Sequence, residues 1–419
     1  MRWFGVVCEY NPFHRGHAWH LAETRRRLGG EWGCVCVMSG HFVQRGEGAL
    51  LPKESRAAMA LAGGADLVLE LPLPAALSSG DRFALGAVRV LSKLGGVEVL
   101  SFGSECGDTA ALTRAAGALD SPAGKQALRR ALAAGLSYPA ACQQAVEQTA
   151  PGLGQLLAGP NDLLGLSYVR AIGQAGPGLT PLAIPRRGAG HDAADPRGGY
   201  ASASAIRQRI RAGGIAAAHP FLPPAAAALL DGAVQTGQAP ADEGRLGLVL
   251  LTALRLLPPA AFQALPFDSE GLGNRLYRAA RECGGWEQLL TLAKSRRYPM
   301  SRVKRTAILA ALGLSRADEG LLTPPYLRVL ALNRRGRALL RQQAAIPGGL
   351  PQVVKPLAAW RTLTDPAARR LLELDARAAD LYALSLPAPA ARRAGRDIRL
   401  TPAYREEPVL DPEGGGMVG

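Results

Sequence analysis

The amino-acid sequence predicts an α/β protein, with a parallel sheet in the first half and a mostly α-helical second half. Up to about residue 213, short apolar runs alternate with helical patterns. These runs are apolar throughout, which is typical of parallel strands that are covered by helices on both faces. After residue 213 the chain shows helical patterns separated by Pro and Gly, with almost no strand signal.

The first half begins with a strand at residues 4–8, a polar loop, and a helix that starts near Gly16. Ala18, Leu21 and Leu28 give this helix one apolar stripe. Further strands are predicted at residues 34–38, 66–71, 97–102 and 182–184, and further helices at residues 54–62, 81–94, 109–146 and 162–173. In the second half, helices are predicted at residues 223–230, 246–256, 273–279, 286–294, 302–312, 336–343 and 367–385.

The length of 419 residues exceeds one ordinary domain. We expect an α/β domain at residues 1–213, a helical domain at 214–402 and a flexible, Gly-rich tail at 403–419. No apolar run reaches the roughly 20 residues of a membrane helix, and we expect no secretory signal. The six cysteines show neither a zinc pattern nor a disulfide framework, which fits a reducing cytoplasm.

The chain is strongly basic, with a net charge of +15 and a pI near 10.1. A basic excess favours polyanionic partners, above all tRNA or another nucleic acid. The chain is also rich in Arg, Ala and Gly and poor in Lys, as expected of a GC-rich genome. Charge alone therefore leaves open whether the arginines bind nucleic acid or lie on a solvated surface.

The polar loop after the first strand carries the densest chemical signal. It leaves the carboxyl end of a strand and opens a helix, where ligands bind in open α/β sheets and where free N–H groups suit a phosphate. Gly16 removes a side chain where the backbone approaches a ligand. His14 and His17 can donate hydrogen bonds to phosphate oxygens that gain charge in a displacement at phosphorus. The loop therefore predicts a site for the phosphates of ATP.

Three other interpretations compete with the phosphate site. His14, His17 and His20 are spaced so that they could bind a metal, although no nearby Cys or Asp completes a ligand set. They could also be plain surface histidines, although this junction holds three of the six in the chain. A dinucleotide fold would show G-x-G-x-x-G here, and the sequence lacks it.

His14-Arg15-Gly16-His17 resembles the H-x-G-H signature of the nucleotidylyltransferase superfamily. The wider run of residues 9–17 resembles one family within it, the bacterial tRNA(Met) cytidine acetate ligases. The resemblance continues at residues 38–40, 42–47, 64–66, 70–72, 102–105, 160–165, 186–192, 202–207, 301–305 and 324–330. It implies a Rossmann-like nucleotidylyltransferase domain followed by a helical tRNA-binding domain.

The resemblance also implies a reaction. Members of the family acetylate the exocyclic N4 of the wobble cytidine in elongator tRNA(Met): acetate and ATP form acetyl-adenylate and pyrophosphate, and the cytidine amine then displaces AMP. The implied partners are ATP, acetate and elongator tRNA(Met), with Mg²⁺ carried by the nucleotide, no metal site on the protein and no obligate protein partner. Two alternatives stay open: a nucleotidylyltransferase for a small phosphate compound, and an RNA-binding protein regulated by a nucleotide.

The resemblance assigns catalytic roles to His14 and His17. The implied ATP-binding residues are Val7, Glu9, Asn11, Phe13, His14, Gly16, His17, His20, Gly103, Asn161, Arg186, Arg187, Ser202, Ser204 and Arg207. Asn161 is expected at a helix N-cap, which alone would explain it. Lys53 and Arg56 are weaker candidates that also fit a solvated helix surface.

Basic residues of the second half are candidates for tRNA contacts, because Arg pairs well with phosphate. The candidates are Arg296, Arg297, Arg302, Lys304, Arg305, Arg334 and Arg335, followed by Arg337. Tyr298 and Tyr326 could stack on bases. Each charge by itself also fits a solvated face.

The sequence departs from the family pattern in four places. His41 stands where Asn is usual, and Gly190 precedes His191 where Tyr is usual. Tyr200 replaces an expected Ile, and Ser204 an expected Thr. Of these, His41 is expected to affect the substrate pocket.

Overall fold

The computed structural model describes residues 1–187, 199–267, 271–407 and 409. Its strands are β1 Arg2–Cys8, β2 Trp32–Ser39, β3 Phe42–Val43, β4 Glu47–Gly48, β5 Leu67–Leu71, β6 Val97–Ser104, β7 Thr180–Pro185, β8 Leu327–Asn333, β9 Gln352–Val353 and β10 Ala403–Arg405. Its helices are α1 Arg15–Leu28, α2 Lys53–Ala62, α3 Leu73–Ala76, α4 Gly80–Ser92, α5 Thr109–Asp120, α6 Pro122–Ala133, α7 Tyr138–Thr149, α8 Pro160–Ala175, α9 Ala203–Gly213, α10 Pro224–Gln235, α11 Glu243–Leu256, α12 Pro259–Gln263, α13 Leu272–Glu282, α14 Trp286–Ala293, α15 Met300–Ala311, α16 Arg334–Ala344, α17 Pro356–Thr362 and α18 Pro366–Ala383.

The sheet is built around parallel strands in the order β5-β2-β1-β6-β7. The chain order reverses at β1, since β2 and β5 follow on one side and β6 and β7 on the other. Such a reversal opens a crevice at the carboxyl ends of the strands, where ligands bind in open α/β sheets. The predicted parallel α/β fold is confirmed, and the crevice lies where the loop after β1 begins.

Helices cover both faces of the sheet because its strands carry apolar residues on both sides. Trp3 and Val35 pack into one core, with residues of α4, α8 and α16. Phe4 and Cys34, one position along, pack into a second core with residues of α1 and α2. A third core lies among the helices of the second half. Period-2 alternation between two buried faces explains why the strands read as continuous apolar runs.

The expectation of an almost strand-free second half is wrong at β8, which pairs antiparallel with β5. Every residue of β8 is buried, including Arg328 at 3% exposure. A charged residue inside a buried strand obscures the apolar signal in the sequence. The second half of the chain therefore contributes a strand to the sheet of the first half. The boundary predicted at residue 213 marks a change of sequence pattern, and the sheet includes strands from both sides of it.

Two smaller expectations also change. The helical stretch predicted at residues 109–146 is divided into α5, α6 and α7, because Ser121 and Ser137 cap the second and third helices with their side chains. The predicted flexible tail begins with β10, which pairs with β8. Residues 408 and 410–419 of the tail lie outside the described residues.

A buried cluster of charged side chains connects the two halves of the chain. The Nζ of Lys53 lies 2.7 Å from Glu70 of β5 and 2.6 Å from Asp397. Arg328 of β8 lies 3.4 Å from the same Asp397 carboxylate. Lys53 and Arg56 are 1% and 0% exposed, so the interpretation of both as helix-surface charges is wrong.

No helix within residues 1–187, 199–267 and 271–407 is long and apolar enough to cross a membrane.

Replacing Lys53 with Met is expected to lower the free energy of unfolding by about 3–5 kcal/mol, because it removes the ammonium closest to the buried carboxylates of Glu70 and Asp397. Arg328 then remains to balance two carboxylates, at the longer distances of 3.8 Å and 3.4 Å. Urea denaturation of the nucleotide-free protein measures this change. Lys93→Met, at an exposed lysine, is the matched control and is expected to change stability by at most about 0.5 kcal/mol. A loss below about 1 kcal/mol for Lys53→Met would contradict the argument.

Candidate active site

The loop between β1 and α1 is held from behind by a buried arginine. Arg56 donates hydrogen bonds to the carbonyl oxygens of Glu9, Ser39, Gly40 and Leu51, at 3.1 Å for Ser39 and Leu51. These carbonyls belong to the residue after β1, to the end of β2 and the residue after it, and to the segment before α2. The loop is fixed before any ligand binds, and Arg56 acts through it without lining the cleft.

His14 and His17 lie side by side at the start of α1. Their rings stack with centroids 3.6 Å apart and planes 22° apart. The backbone N–H of His14 donates to Nδ1 of His17 at 3.2 Å, which orients the second ring. The Nδ1 of His14 is buried and has no hydrogen-bond partner. Since an unpaired buried polar atom is costly, this nitrogen is suited to bind a ligand.

Gly16 is required by the histidine pair. A Cβ at residue 16 would lie 3.0 Å from Cε1 and 3.1 Å from Nδ1 of His14. A larger residue would therefore crowd the His14 ring, which would have to shift by a few tenths of an ångström. Besides the ligand expected at this glycine, the imidazole of His14 packs against it.

Burial keeps the three imidazoles of the site neutral. Desolvation, helped by the charge of Arg186, lowers the pKa of His14 to about 3 and that of His20 to about 4. Burial, together with His14 and Arg186, also places the pKa of His17 well below its usual range. Near pH 7 each ring is an uncharged hydrogen-bonding group, so arginines supply the positive charge of the site.

His20 is tied to the sheet. One of its ring nitrogens, Nε2, lies 2.9 Å from the Ser101 hydroxyl of β6, and Thr24 lies 2.7 Å from the same hydroxyl. Gly103 follows on β6, and a Cβ there would meet only Cγ of Arg186, at 3.6 Å. A side chain at residue 103 would thus take the space next to Arg186 in the cleft lining.

Asn161 lies in the first turn of α8, whose N-cap is Gly159, so the expected N-cap role is wrong. Glu105 caps the helix instead, accepting the N–H groups of Asn161 at 3.2 Å and Asp162 at 2.8 Å. The amide oxygen of Asn161 accepts a hydrogen bond from Arg186 at 3.3 Å. The structure thereby brings two predicted ATP-binding residues into contact, and the guanidinium of Arg187 lies 4.9 Å from the Trp19 ring.

The predicted second phosphate motif lies at the start of α9. The Ser202 hydroxyl caps that helix by accepting the N–H of Ala205 at 3.2 Å. Arg207 donates to the carbonyl of Asn11 at 2.8 Å and to the Ser204 hydroxyl at 3.4 Å. Arg207 therefore connects the start of α9 to the loop after β1.

These elements enclose one cleft of about 2030 Å³. The predicted ATP-binding residues that line it are Val7, Glu9, Asn11, His14, Gly16, His17, His20, Gly103, Asn161, Arg186, Arg187, Ser202, Ser204 and Arg207. Phe13 does not, because its ring is fully buried beneath the loop and fills the space above Gly63. Residues 188–192 of the family pattern lie outside the described residues.

One wall of the cleft is basic. It is lined by Arg296, Arg297, Arg302, Lys304 and Arg305, at and before the start of α15. Lys304 pairs with Glu47 at 2.9 Å, and Arg207 approaches the same carboxylate at 3.8 Å. Burial beside Arg302 lowers the pKa of Arg305 to about 10. The cleft therefore joins the predicted ATP site to five of the predicted tRNA contacts.

Arg334 and Arg335 lie elsewhere. They follow β8, whose antiparallel orientation puts its carboxyl end beside Asp66, at the start of β5. This is the edge of the sheet opposite to the cleft, and Arg335 pairs there with Glu31 at 3.5 Å. The two predicted clusters of tRNA contacts thus lie at opposite ends of the parallel strands: one at the carboxyl ends, with the cleft, and the other at the amino ends.

Three aromatic residues are placed differently from expectation. Tyr298 and Tyr326 are 7% and 3% exposed in the helical core, so neither ring is available to stack on a base. His41 does not line the cleft. Its ring lies against Tyr382, and its Nε2 is 3.6 Å from Glu54, so the expected effect on the substrate pocket has no direct route.

Sequence reasoning assigned no role to Glu47, Asp81, Arg82, Tyr138 or Phe267, which also line the cleft. Glu47 lies in a stretch that resembles the family, at residues 42–47, and that was the available signal. Asp81 and Arg82 begin a predicted helix, and only the fold reveals that this helix end faces the cleft.

The family model of the HIGH Nucleotidyl Transferase matches residues 1–397. The chain has a parallel sheet and a histidine pair at the start of the helix after the central strand. With the family match, these features define it as a HIGH nucleotidyl transferase.

Curated relatives and solved structures narrow the class. A tRNA(Met) cytidine acetate ligase from Acetivibrio thermocellus is 36% identical over 95% of this chain and 98% of its own. One from Syntrophotalea carbinolica is 39% identical over 92% and 95%. The crystal structure of apo TmcAL from Thermotoga maritima superposes with a TM-score of 0.89, at 30% identity over 97% of this chain and all of that one, and its complex with alpha-thio ATP with 0.86. The chain belongs to the tRNA(Met) cytidine acetate ligase family.

Replacing His14 with Asn is expected to weaken the pH dependence of folding. Folded His14 resists protonation down to about pH 3, whereas the unfolded residue binds a proton near its ordinary value of 6.5. The unfolded state therefore gains protons as the pH falls from 8 to 5, and His14 alone makes the wild type about 2 kcal/mol less stable at pH 5. The variant is expected to lack this loss. Urea denaturation at several pH values measures it, and equal slopes for both proteins would contradict it.

Proposed function

We propose that this protein is an ATP-dependent ligase that forms N4-acetylcytidine at the wobble position of elongator tRNA(Met). Acetyl-adenylate is the intermediate, and pyrophosphate and AMP are released. The observation that carries the proposal is the cleft itself, which is lined both by the H-x-G-H histidines and by a wall of four arginines and one lysine. A phosphate site and a polyanion site in one cleft suit an enzyme that activates a small acid and passes it to RNA.

In the first step, an acetate oxygen attacks the α-phosphorus of ATP and the bond to the bridging oxygen of pyrophosphate breaks. His14 and His17, as neutral imidazoles, would donate hydrogen bonds to phosphate oxygens on which charge accumulates. Arg186, which contacts Asn161, and Arg207, which contacts the loop at Asn11, would pair with the phosphates. Ser202, Ser204 and the backbone of the α9 start would bind the outer phosphates.

We expect Mg²⁺ to arrive with the nucleotide. The carboxylates that line the described part of the cleft already have partners. Glu9 accepts a hydrogen bond from the Gln44 N–H at 2.7 Å, Glu47 pairs with Lys304, and Asp81 accepts a hydrogen bond from the Tyr138 hydroxyl. A cluster of free carboxylates would be needed for a dedicated site on the protein. When bound, the ion would neutralise charge on the phosphates.

In the second step, the N4 amine of cytidine attacks the acetyl carbon and AMP leaves. We propose that residues 1–213 carry the adenylation site and residues 214–402 most tRNA contacts, with the basic wall of the cleft placing the anticodon beside the adenylate. Arg334 and Arg335, at the opposite edge of the sheet, would contact RNA outside the cleft. Their separation from the cleft suits a partner as large as tRNA.

His14→Ala is expected to reduce acetate-dependent exchange of pyrophosphate into ATP by at least about 100-fold, the usual cost of removing a preorganised donor. Binding of tRNA(Met) is expected to persist, since the basic wall is untouched. His219→Ala, at a half-exposed histidine outside the cleft that pairs with Asp231, is the matched control and should keep both properties. Undiminished exchange in His14→Ala would refute the role of this residue.

Arg296→Ala is expected to weaken tRNA(Met) binding and to lower the slope of log Kd against log salt by about 1, as for the loss of one phosphate contact. Arg278→Ala, at an exposed arginine of α13 outside the cleft, is the control and should match the wild type. Equal affinities for both variants, measured by a salt series of filter binding, would remove Arg296 from the RNA surface.

Mass analysis of nucleosides tests the whole proposal. Elongator tRNA(Met) incubated with the protein, ATP and labelled acetate should yield labelled N4-acetylcytidine. Nucleotide transfer that ignores acetate would instead identify a different nucleotidylyltransferase.

A further inference from the structure

A second group of side chains lines the cleft at the start of α4. Asp81 and Arg82 are consecutive residues there, and each holds an aromatic side chain from a distant part of the chain. The Tyr138 hydroxyl donates to the Asp81 carboxylate, and the guanidinium of Arg82 lies 4.6 Å from the centroid of the Phe267 ring. All four residues line the cleft, and together they form what we call the aromatic subsite.

Tyr138 presents a rigid apolar ring to the cleft. The carboxylate that holds its hydroxyl is itself fixed, because Asp81 accepts the Ser167 hydroxyl at 2.5 Å and pairs with Arg170 at 3.1 Å. The Tyr138 residue nevertheless stays 38% exposed. Because the hydrogen bond already restricts the Tyr138 side chain, its exposed ring would lose little conformational entropy when a planar ligand stacks on it.

Phe267 adopts a backbone conformation that large residues rarely occupy, with φ of +59°. Its N–H donates to the Glu319 carboxylate at 2.8 Å, which helps to hold this conformation. The ring is half-buried, with Arg82 on one side and the cleft beside it. Strain of this kind persists where surrounding contacts enforce it and is concentrated at ligand sites.

The subsite lies near the proposed adenylate. Ser167, which contacts Asp81, is six residues after Asn161 on α8, which corresponds to about 9 Å along the helix. Asn161 contacts Arg186 of the ATP site. Tyr138 comes from the α/β half, whereas Phe267 packs against the core of the helical half that carries the basic wall. The subsite therefore takes one aromatic ring from each half of the chain.

We propose that the aromatic subsite binds the unstacked target base of the RNA, by stacking against Tyr138 and Phe267. RNA recognition commonly uses single-stranded bases that are splayed out onto aromatic rings and arginine planes. This inference rests on the proposed function and adds the residues that would present the cytidine to the acetyl group. The adenylation step does not require them.

The test compares two partial reactions of Tyr138→Ala and Phe267→Ala. Acetate-dependent pyrophosphate exchange without tRNA is expected to stay within about twofold of wild type, whereas kcat/KM for acetyl transfer to tRNA(Met) falls about 10- to 100-fold, the range for one lost stacking contact. Phe267→Trp is expected to restore transfer. Trp360→Ala is the matched control, because Trp360, like Phe267, is half-buried against the helical core and lies beside an arginine, Arg369, but outside the cleft; it should keep both reactions.

Other outcomes overturn the inference. A raised KM for ATP in the exchange reaction would assign the subsite to adenine. Unchanged transfer in both variants would show that no base stacks there. Loss of both reactions, without restoration by Phe267→Trp, would show that the two rings only stabilise the fold. A wild-type protein that shows no exchange at all would instead refute the proposed function, and this inference with it.

Discussion

The buried guanidinium of Arg56 is the interaction on which the site depends. Removing a cation from water costs several kcal/mol, and burial lowers the pKa of Arg56 accordingly. The group is satisfied by carbonyl oxygens from the segments after β1 and β2 and from the segment before α2. Because an unpaired buried cation is so unfavourable, these segments are held in one arrangement. The histidine pair at the start of α1 inherits its position from that requirement.

A short segment then connects this site to the basic wall. Glu47 lies between Arg207 and Lys304, and the Gln44 carbonyl accepts from Arg305 at 3.1 Å. Gly46 has a φ of +78°, and a Cβ there would lie 2.6 Å from the backbone N of Arg305. This close approach fixes α15 against the segment that follows β3. The relative position of the two walls is therefore built into the fold of the unliganded chain.

In this site, different residues provide the hydrogen-bond donors and the positive charge. Burial keeps His14 and His17 neutral, so they offer hydrogen bonds of fixed direction. Arg186 and Arg207 provide charge at the margins, where their planar groups can pair with phosphate oxygens. In the proposed reaction, neutral donors at the reacting phosphorus and cations around it would let one cleft bind a triphosphate and stabilise the charge that moves onto pyrophosphate.

The sequence by itself determined the parallel sheet and the strand–loop–helix unit after β1. It also named most of the candidate ATP-binding residues that line the cleft, because each belongs to a local pattern or to a dense family resemblance. The tertiary structure alone decided which distant residues meet. It buried Phe13 beneath the loop, moved Arg334 to the opposite edge of the sheet through the antiparallel β8, and placed Phe267 beside Arg82. These placements depend on contacts between residues far apart in the chain, and local patterns do not encode such contacts.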